Sequence, residues 1–423
     1  MIYIWKIVTI LFSSILMLHG IYRFLIRKND NLIFFPMAVC YVFYVVPLIL
    51  DLIAGKPEYK ATRYGFIVSR DNMLVEMSYC LIVAYLMLMF WIFQGKKYQM
   101  LRAQNPARKL RMITGLGNSI LILGVGYAVS SGYLNEILAM QMRYEKSSMG
   151  VALKNLGLFM VMVCLGLLLI EKRPKYFWRK LAIYLPVMLF ACMMNGKKTI
   201  IMLCGVGILL VILINRYFKN PIIYVLVIAV IGILAVAVLV FYGKHYALNG
   251  NSAQNYENFR IIYGRDCTLK YTLYNEFFET RKILDYRGQS FLFYLSTLLM
   301  IRRGVWPAKP YPFATYFTSC YLGKTQFTIV NFTMTTSIVD EFLANMGVLG
   351  IFLVPFFVRM FCELAWNDTE AKNPVLGDIT MVLGILLSVL LFAVQISAFI
   401  YVYILFFVLV FLKKHFPKIY WGR

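Results

Sequence analysis

Hydrophobic positions in this chain fall in long unbroken blocks separated by short polar stretches. Blocks near the ~20 residues an α-helix needs to cross a bilayer run from Ile4 to Ile26, Leu32 to Ala54, Met73 to Phe93, Ile113 to Gly132 and Val151 to Ile170. Leu181 to Met194 and Ile200 to Ile214 follow, parted only by NGKKT, and then Ile222 to Tyr242, Gly347 to Ala365, Val375 to Ala393 and Ser397 to Leu412. The pattern predicts an all-α polytopic membrane protein of about 11 transmembrane helices (10–12). Eight spans fall in residues 1–242 and three in 347–423, with one long external loop, 243–346, between the two bundles. The first block is too long for a signal-peptide core and no small-residue cleavage site follows it, so it is expected to remain as the first span.

Charge sets the expected orientation. Lys and Arg number 43 against 19 acids, a formal +24 in a chain that is 61% hydrophobic; in a membrane protein this excess reads first as cytoplasmic loops, not as nucleic-acid binding. The basic stretches RKND, GKKYQMLRAQNPARKLRM, EKRPKYFWRK, NRYFKN and the tail KKHFPKIYWGR all fall on one side. That side is expected to be the cytoplasm, which puts segment 243–346 outside. The eight cysteines form no CxxC pair and mostly sit in apolar blocks, which argues against a metal or redox centre. Cys267 and Cys320 alone share a polar segment and are the pair open to bridging.

Segment 243–346 carries eleven basic residues against seven acids. Long loops escape the positive-inside bias, so topology does not account for the excess. Within it, QSFLFYLSTLLMI (Gln289 to Ile301) is apolar but too short to span, which predicts an interfacial or re-entrant helix holding the following RRGVWPAKP at the membrane surface. An arginine fork grips phosphate oxygens in pairs and keeps its charge where hydration is poor. Arg302, Arg303 and Lys309, on a backbone stiffened by Pro307, Pro310 and Pro312, suit a lipid phosphate or diphosphate, with Trp306 at headgroup depth or stacked on a sugar. Ordinary anionic headgroups are the plainer ligand. Arg143, Arg260, Arg265 and Asp266 extend this outer set. Lys197 and Lys198 in NGKKT either join it or snorkel from a hairpin turn. Ser337 precedes Asp340 at capping-box spacing, so the ninth span is expected to begin there with Asp340 and Glu341 in its first turn, as caps or as reacting groups. Histidine chemistry could rest only on His245. Nucleotide-binding fingerprints, HExxH and DxD are absent, so neither ATP, a cofactor nor a metal is implied.

GQSFLFYLSTLLMIRRGVWPAKP and TTSIVDEFLANMGVLG resemble the motifs of the Wzy-type oligosaccharide repeat-unit polymerases, which build O-antigen and capsule chains in bacteria. That family has a glycine-led apolar stretch followed by I-P-R-x-x-W-P-x-K-P, then a T/S-rich run leading to E-x-x-x-N-x-G-x-x-G. Arg303, Trp306, Pro307, Lys309 and Pro310 fall on the first pattern, and Glu341, Asn345, Gly347 and Gly350 on the second. Arg302 stands where the family has proline, and NGKKT stands where the family often has G-x-R. The resemblance implies a fold like the GT-C-type lipid-dependent glycosyltransferases, with the external loop as a lid, in the bacterial inner membrane. It implies transfer of a growing glycan from undecaprenyl diphosphate to the next lipid-linked repeat unit on the periplasmic or exterior face. Membrane lipids and a chain-length regulator are the accompanying partners to consider. Arg303 and Lys309 would stabilise the leaving diphosphate, with Arg302, Arg143, Arg260, Arg265, Lys197 and Lys198 in support. The acceptor base would be Glu341, Asp340, Asp266 or His245, in that order, with Trp306, Asp266 and Asn345 meeting glycan. An O-antigen ligase and a lipid-linked oligosaccharide flippase are the alternatives.

Overall fold

The computed structural model describes residues 2–59, 63–98, 107–138, 148–171, 173–195, 198–218, 220, 222–224, 252–324, 326–330, 332–366 and 374–415. Among these residues every regular element is a helix. In chain order they are α1 (Ile2–Ile26), α2 (Phe34–Ile53), α3 (Tyr64–Arg70), α4 (Met73–Phe93), α5 (Ala107–Ser130), α6 (Leu134–Leu138), α7 (Ser148–Ile170), α8 (Pro174–Asn195) and α9 (Lys198–Asn215). They continue with α10 (Ser252–Tyr263), α11 (Asp266–Phe278), α12 (Gln289–Leu298), α13 (Phe313–Tyr321), α14 (Ile338–Met346), α15 (Val348–Ala365), α16 (Pro374–Ala393) and α17 (Ile400–His415). Seven helices in the described residues are long and apolar enough to cross a membrane, and Thr114–Ser130 and Thr380–Ala393 are shorter apolar ones. The chain is thus a polytopic helical membrane protein.

The direction in which α1 turns its side chains supports this. Ile4, Ile7, Val8, Leu11, Ile15 and Leu18, spaced three and four apart, are exposed, whereas Lys6, Thr9, Ser13 and Gly20 are buried. An apolar stripe facing outward and a polar stripe facing inward reverse the arrangement of a soluble helix and fit a lipid surround. α15 behaves likewise, exposing Leu349, Phe352, Phe356 and Met360.

The chain divides into two compact units. The first gathers Met1–Met100, Leu239–Trp366 and Leu383–His415. In it α1, α2 and α4 pack on one another, and α4 also meets α11 and α15. The long segment between the two groups of apolar blocks carries helices of its own among the described residues, since α10 to α14 all lie within 243–346. α11 is its centre: Asp266 to Leu273 are buried without interruption, and the helix packs on α3, α4 and α14. Tyr271, Phe66, Phe313, Phe317 and Tyr321 form an aromatic core with Cys267 and Cys320 under the same segment. α12 starts at Gly288, whose φ of +82° is a left-handed conformation glycine adopts without strain.

The ninth span does not begin at Ser337: the helix capped there, α14, stops at Met346, and the span α15 starts afresh at Val348, across a corner that needs two glycines. Gly347, with φ +64° and ψ −148°, ends α14 in a region of backbone space essentially restricted to glycine. A Cβ on Gly350 would lie 2.0 Å from the Phe342 carbonyl oxygen. Gly350→Ala is therefore expected to force the corner apart at a cost of about 1–3 kcal/mol, read as a lower unfolding temperature of the detergent-solubilised protein.

The second unit comprises Leu101–Val238, Asn367–Val382 and Phe416–Arg423. Here α7 packs against α5, α8 and α9. Close approach depends on small residues, a common device between membrane helices: Gly117 of α5 abuts Leu167 and Gly207 of α9 abuts Leu165. Tyr184 of α8 donates to Asn118 Oδ1 at 2.9 Å.

Candidate functional site

Three cations and three carboxylates close a ring inside the first unit. Lys6 of α1 lies 2.8 Å from Asp51, at the end of α2, and 3.2 Å from Glu76, in the first turn of α4. Glu76 meets Lys270 at 3.0 Å, and Lys270 meets Asp266, one turn back on α11, at 3.6 Å. Arg260 completes the circuit at 2.8 Å from both Asp266 and Asp51. No side chain of the six is more than 7% exposed. Burying charge is costly unless each ion finds opposite charge, and strict alternation supplies it. Burial by itself would pull the Lys270 ammonium down, yet Glu76, Asp51 and Asp266 hold it above its ordinary range. A cleft of about 20 Å³, lined by Lys56, Tyr59, Ser69 and Arg70 together with ring members, leads to this ring and has room for a single water. Lys56 stands at it, 3.1 Å from Glu76.

The ring connects through α11 to a second polar cluster. Thr268 donates to Asp340 Oδ2 at 3.2 Å, and the same oxygen accepts from the Ser337 backbone N–H at 2.7 Å and the Ser337 hydroxyl at 2.8 Å. This is the capping box read from the sequence, now buried. Tyr44 of α2 adds a bond from its hydroxyl to Ser337 Oγ at 2.7 Å. One residue on, Glu341 accepts from Ser290 at 2.8 Å and from Tyr294 at 3.0 Å, both on α12. Asn345 holds Ser290 Oγ at 2.7 Å.

Burial raises both carboxyls, Asp340 to about 6 and Glu341 to about 7, against the opposing pull of their hydroxyl donors. An acid raised above its unfolded value leaves the folded state holding the extra proton, so its stabilising effect is complete below the unfolded pKa and is lost as pH rises through the folded one. Thermal stability is thus expected to fall between pH 4.5 and 7, with a shallower fall in Glu341→Gln. Equal slopes in parallel melting series would contradict this.

The cationic loop hangs from the far end of α12. Arg302 and Arg303 are exposed, while Trp306 and Lys309 are half-buried. Arg303 lies over the Tyr311 ring at 3.7 Å and donates to the Pro310 carbonyl at 3.1 Å. Lys309 donates to the Ile301 carbonyl at 2.8 Å and sits 5.5 Å from the Phe293 ring. Among the described residues no carboxylate pairs with Arg302, Arg303 or Lys309. Beside them Leu295, Leu298, Leu299, Met300 and Val305 are exposed. Cations unpaired with carboxylate among the described residues thus border exposed apolar side chains.

The candidates read from the sequence therefore separate into groups. Arg302, Arg303, Trp306 and Lys309 share the loop. Arg260 and Asp266 belong to the ring, each engaged by opposite charge. Arg265 is buried and donates to the Ala393 carbonyl at 3.0 and 2.7 Å. Asp340, Glu341 and Asn345 form the buried α14 cluster. Arg143, Lys197 and His245 lie outside the described residues, as does the side chain of Lys198, which opens α9. Sequence reasoning passed over Lys6, Asp51 and Glu76, each in or at the edge of an apolar block. An ion at membrane depth is itself the signal that would have found them. No protein-family model, curated protein or solved structure matches the chain.

Proposed function

We propose that this protein is a membrane glycosyltransferase that polymerises polysaccharide repeat units, moving a growing glycan from undecaprenyl diphosphate to a lipid-linked repeat unit. The observation that carries this reading is the loop after α12, where Arg302, Arg303 and Lys309 have no carboxylate partner among the described residues and lie beside exposed apolar side chains. A ligand matching both features has an anionic head and a hydrocarbon tail. A glycosyl group leaving such a lipid puts charge on the diphosphate, and oriented cations stabilise that charge. In this proposal Arg303 and Lys309 take the diphosphate, with Arg302 beside them. Arg260 and Arg265, fixed in internal contacts, hold α11 in place.

Glu341 is the proposed acceptor base, a role that requires Ser290 and Tyr294, whose hydroxyls donate to it in the buried cluster, to give way to a sugar hydroxyl. Trp306 and Asn345 are assigned to glycan contact. The proposal also includes about eleven spans, a likeness to GT-C-type enzymes, residence in the bacterial inner membrane and a site facing the periplasm or exterior. A chain-length regulator is a proposed partner.

The test is the size ladder of surface glycan in cells lacking the gene and in cells with it restored. Deletion should collapse the ladder to a single repeat unit on the final acceptor, and restoration should return it. Loss of that single unit as well would replace the proposal with ligase or flippase activity, and carrier-linked glycan on each membrane face would then separate those two.

A further inference from the structure

Two thiols that the sequence spacing does not single out meet in the second unit. Cys192, near the end of α8, and Cys204, in the second turn of α9, bring their sulfurs to 3.3 Å. Their side chains are 4% and 8% exposed. We propose that Cys192 and Cys204 form a disulfide that ties together the ends of this helical hairpin on the outer side of the membrane.

Three observations support the pairing. A disulfide joins sulfurs at about 2.05 Å, so these two need only a small approach by side chains already facing each other. α8 begins with Pro174, Lys175, Arg179 and Lys180, and α9 runs into Asn215 and Arg216; by the positive-inside bias those ends face the cytoplasm. Cys192 and Cys204 lie toward the opposite ends, where an oxidising compartment lets disulfides persist. Cys164 of α7 is a near neighbour of both sulfurs, but the sulfurs in contact are those of Cys192 and Cys204; Cys267 bonds the Tyr59 hydroxyl and Cys320 the Lys282 carbonyl, so the pair suggested by the external segment is not the pair in contact.

The chemistry is thiol–disulfide exchange with a dithiol–disulfide oxidoreductase of the outer compartment. One cysteine attacks the donor's disulfide and forms a mixed disulfide, and the second displaces the donor. Two S–H bonds are broken and one S–S bond formed, while two electrons and two protons leave with the donor as its dithiol. Because the folded pair is buried, exchange occurs as the hairpin is inserted, before α7 packs over it. The bond would then span the 12-residue separation that includes Lys197 and Lys198.

The test counts thiols in the full chain taken from its own membrane, trapped in acid, denatured in SDS and labelled with a maleimide-polyethylene glycol. Of the eight cysteines, six should label without reductant and eight after reduction. Cys192→Ser should give seven adducts under both conditions, a readout that does not require the variant to fold. Eight adducts in the unreduced wild type would overturn the proposal. Five adducts rising to seven in Cys192→Ser would also overturn it, by placing the bond at another pair.

Discussion

Asp51→Ala is expected to remove about 3–5 kcal/mol of stability, because deleting one member of a buried ion pair strands its partners. Asp51 neutralises Lys6 at 2.8 Å and Arg260 at 2.8 Å and contributes to Lys270 at 3.6 Å. Without it three buried cations face only Glu76 and Asp266. Asp71, whose side chain is 72% exposed and 3.7 Å from Lys56, is the control; its alanine variant should differ by at most about 1 kcal/mol. The variants can be ranked by the fraction of soluble protein left after heating in detergent. A double variant, Asp51→Ala with Lys6→Met, restores the balance of charge and should survive better than Asp51→Ala alone. If the double variant loses the sum of the two single losses, the alternating ring is not the stabilising unit.

The same substitution should reach the cationic loop. Asp266 and Lys270 hold α11 to the ring, Thr268 holds α11 to Asp340, and Glu341 holds α14 to α12. Each link is a buried polar contact, costly to leave unsatisfied. α12 in turn ends in the loop, where Lys309 returns to the Ile301 carbonyl. Four consecutive short contacts therefore join the spans to the surface that carries Arg303. The packing explains why Arg260 and Arg265, although rich in charge, are poorly placed to meet a ligand. Both terminal nitrogens of Arg260 and the guanidinium of Arg265 are already bonded within the protein, and an anion approaching those Arg260 nitrogens would have to displace two carboxylates.

Which parts of this could be read in the chain follows from the range of each interaction. The capping box at Ser337 and Asp340 is local, spanning one turn, and it is present as read. The short apolar helix before Arg302 was equally legible, from an apolar run of thirteen residues that is too short to span, and it runs from Gln289 to Leu298. Seven of the eleven apolar blocks reappear among the described residues as helices long and apolar enough to span, for the same reason, and most of the Ile222 to Tyr242 block lies outside the described residues. The ring was not legible, since Lys6 and Arg260 become partners of one carboxylate only after α1, α2 and α10 are assembled. Charge counted along segment 243–346 treated Arg260, Arg265 and Asp266 as surface groups, whereas all three are buried. Cys192 and Cys204 escaped notice because contact across a hairpin obeys no short spacing rule.

If the protein is the polymerase proposed above, Arg303→Ala is expected to reduce glycan chain growth by roughly 100-fold or more, the size of effect seen when one oriented donor to developing negative charge is lost. The protein itself should remain in the membrane in normal amount, because Arg303 is exposed and its internal contacts are one bond to the Pro310 carbonyl and the Tyr311 ring. Arg303→Lys separates charge from shape: it keeps the positive charge but loses the planar fork and much of the stacking, so its ladder should be intermediate. Tyr311→Leu removes the ring under the guanidinium while leaving the charge, and should likewise shorten the ladder if orientation matters. The readouts are ladder length in restored cells and protein level in the same membranes. A full ladder from Arg303→Ala would remove Arg303 from the site and leave Arg302 or Lys309 to hold the diphosphate. A short ladder that merely tracks a fall in protein would make the residue structural. Loss of the ladder at constant protein, partly restored by lysine, is the pattern that a diphosphate-binding arginine requires.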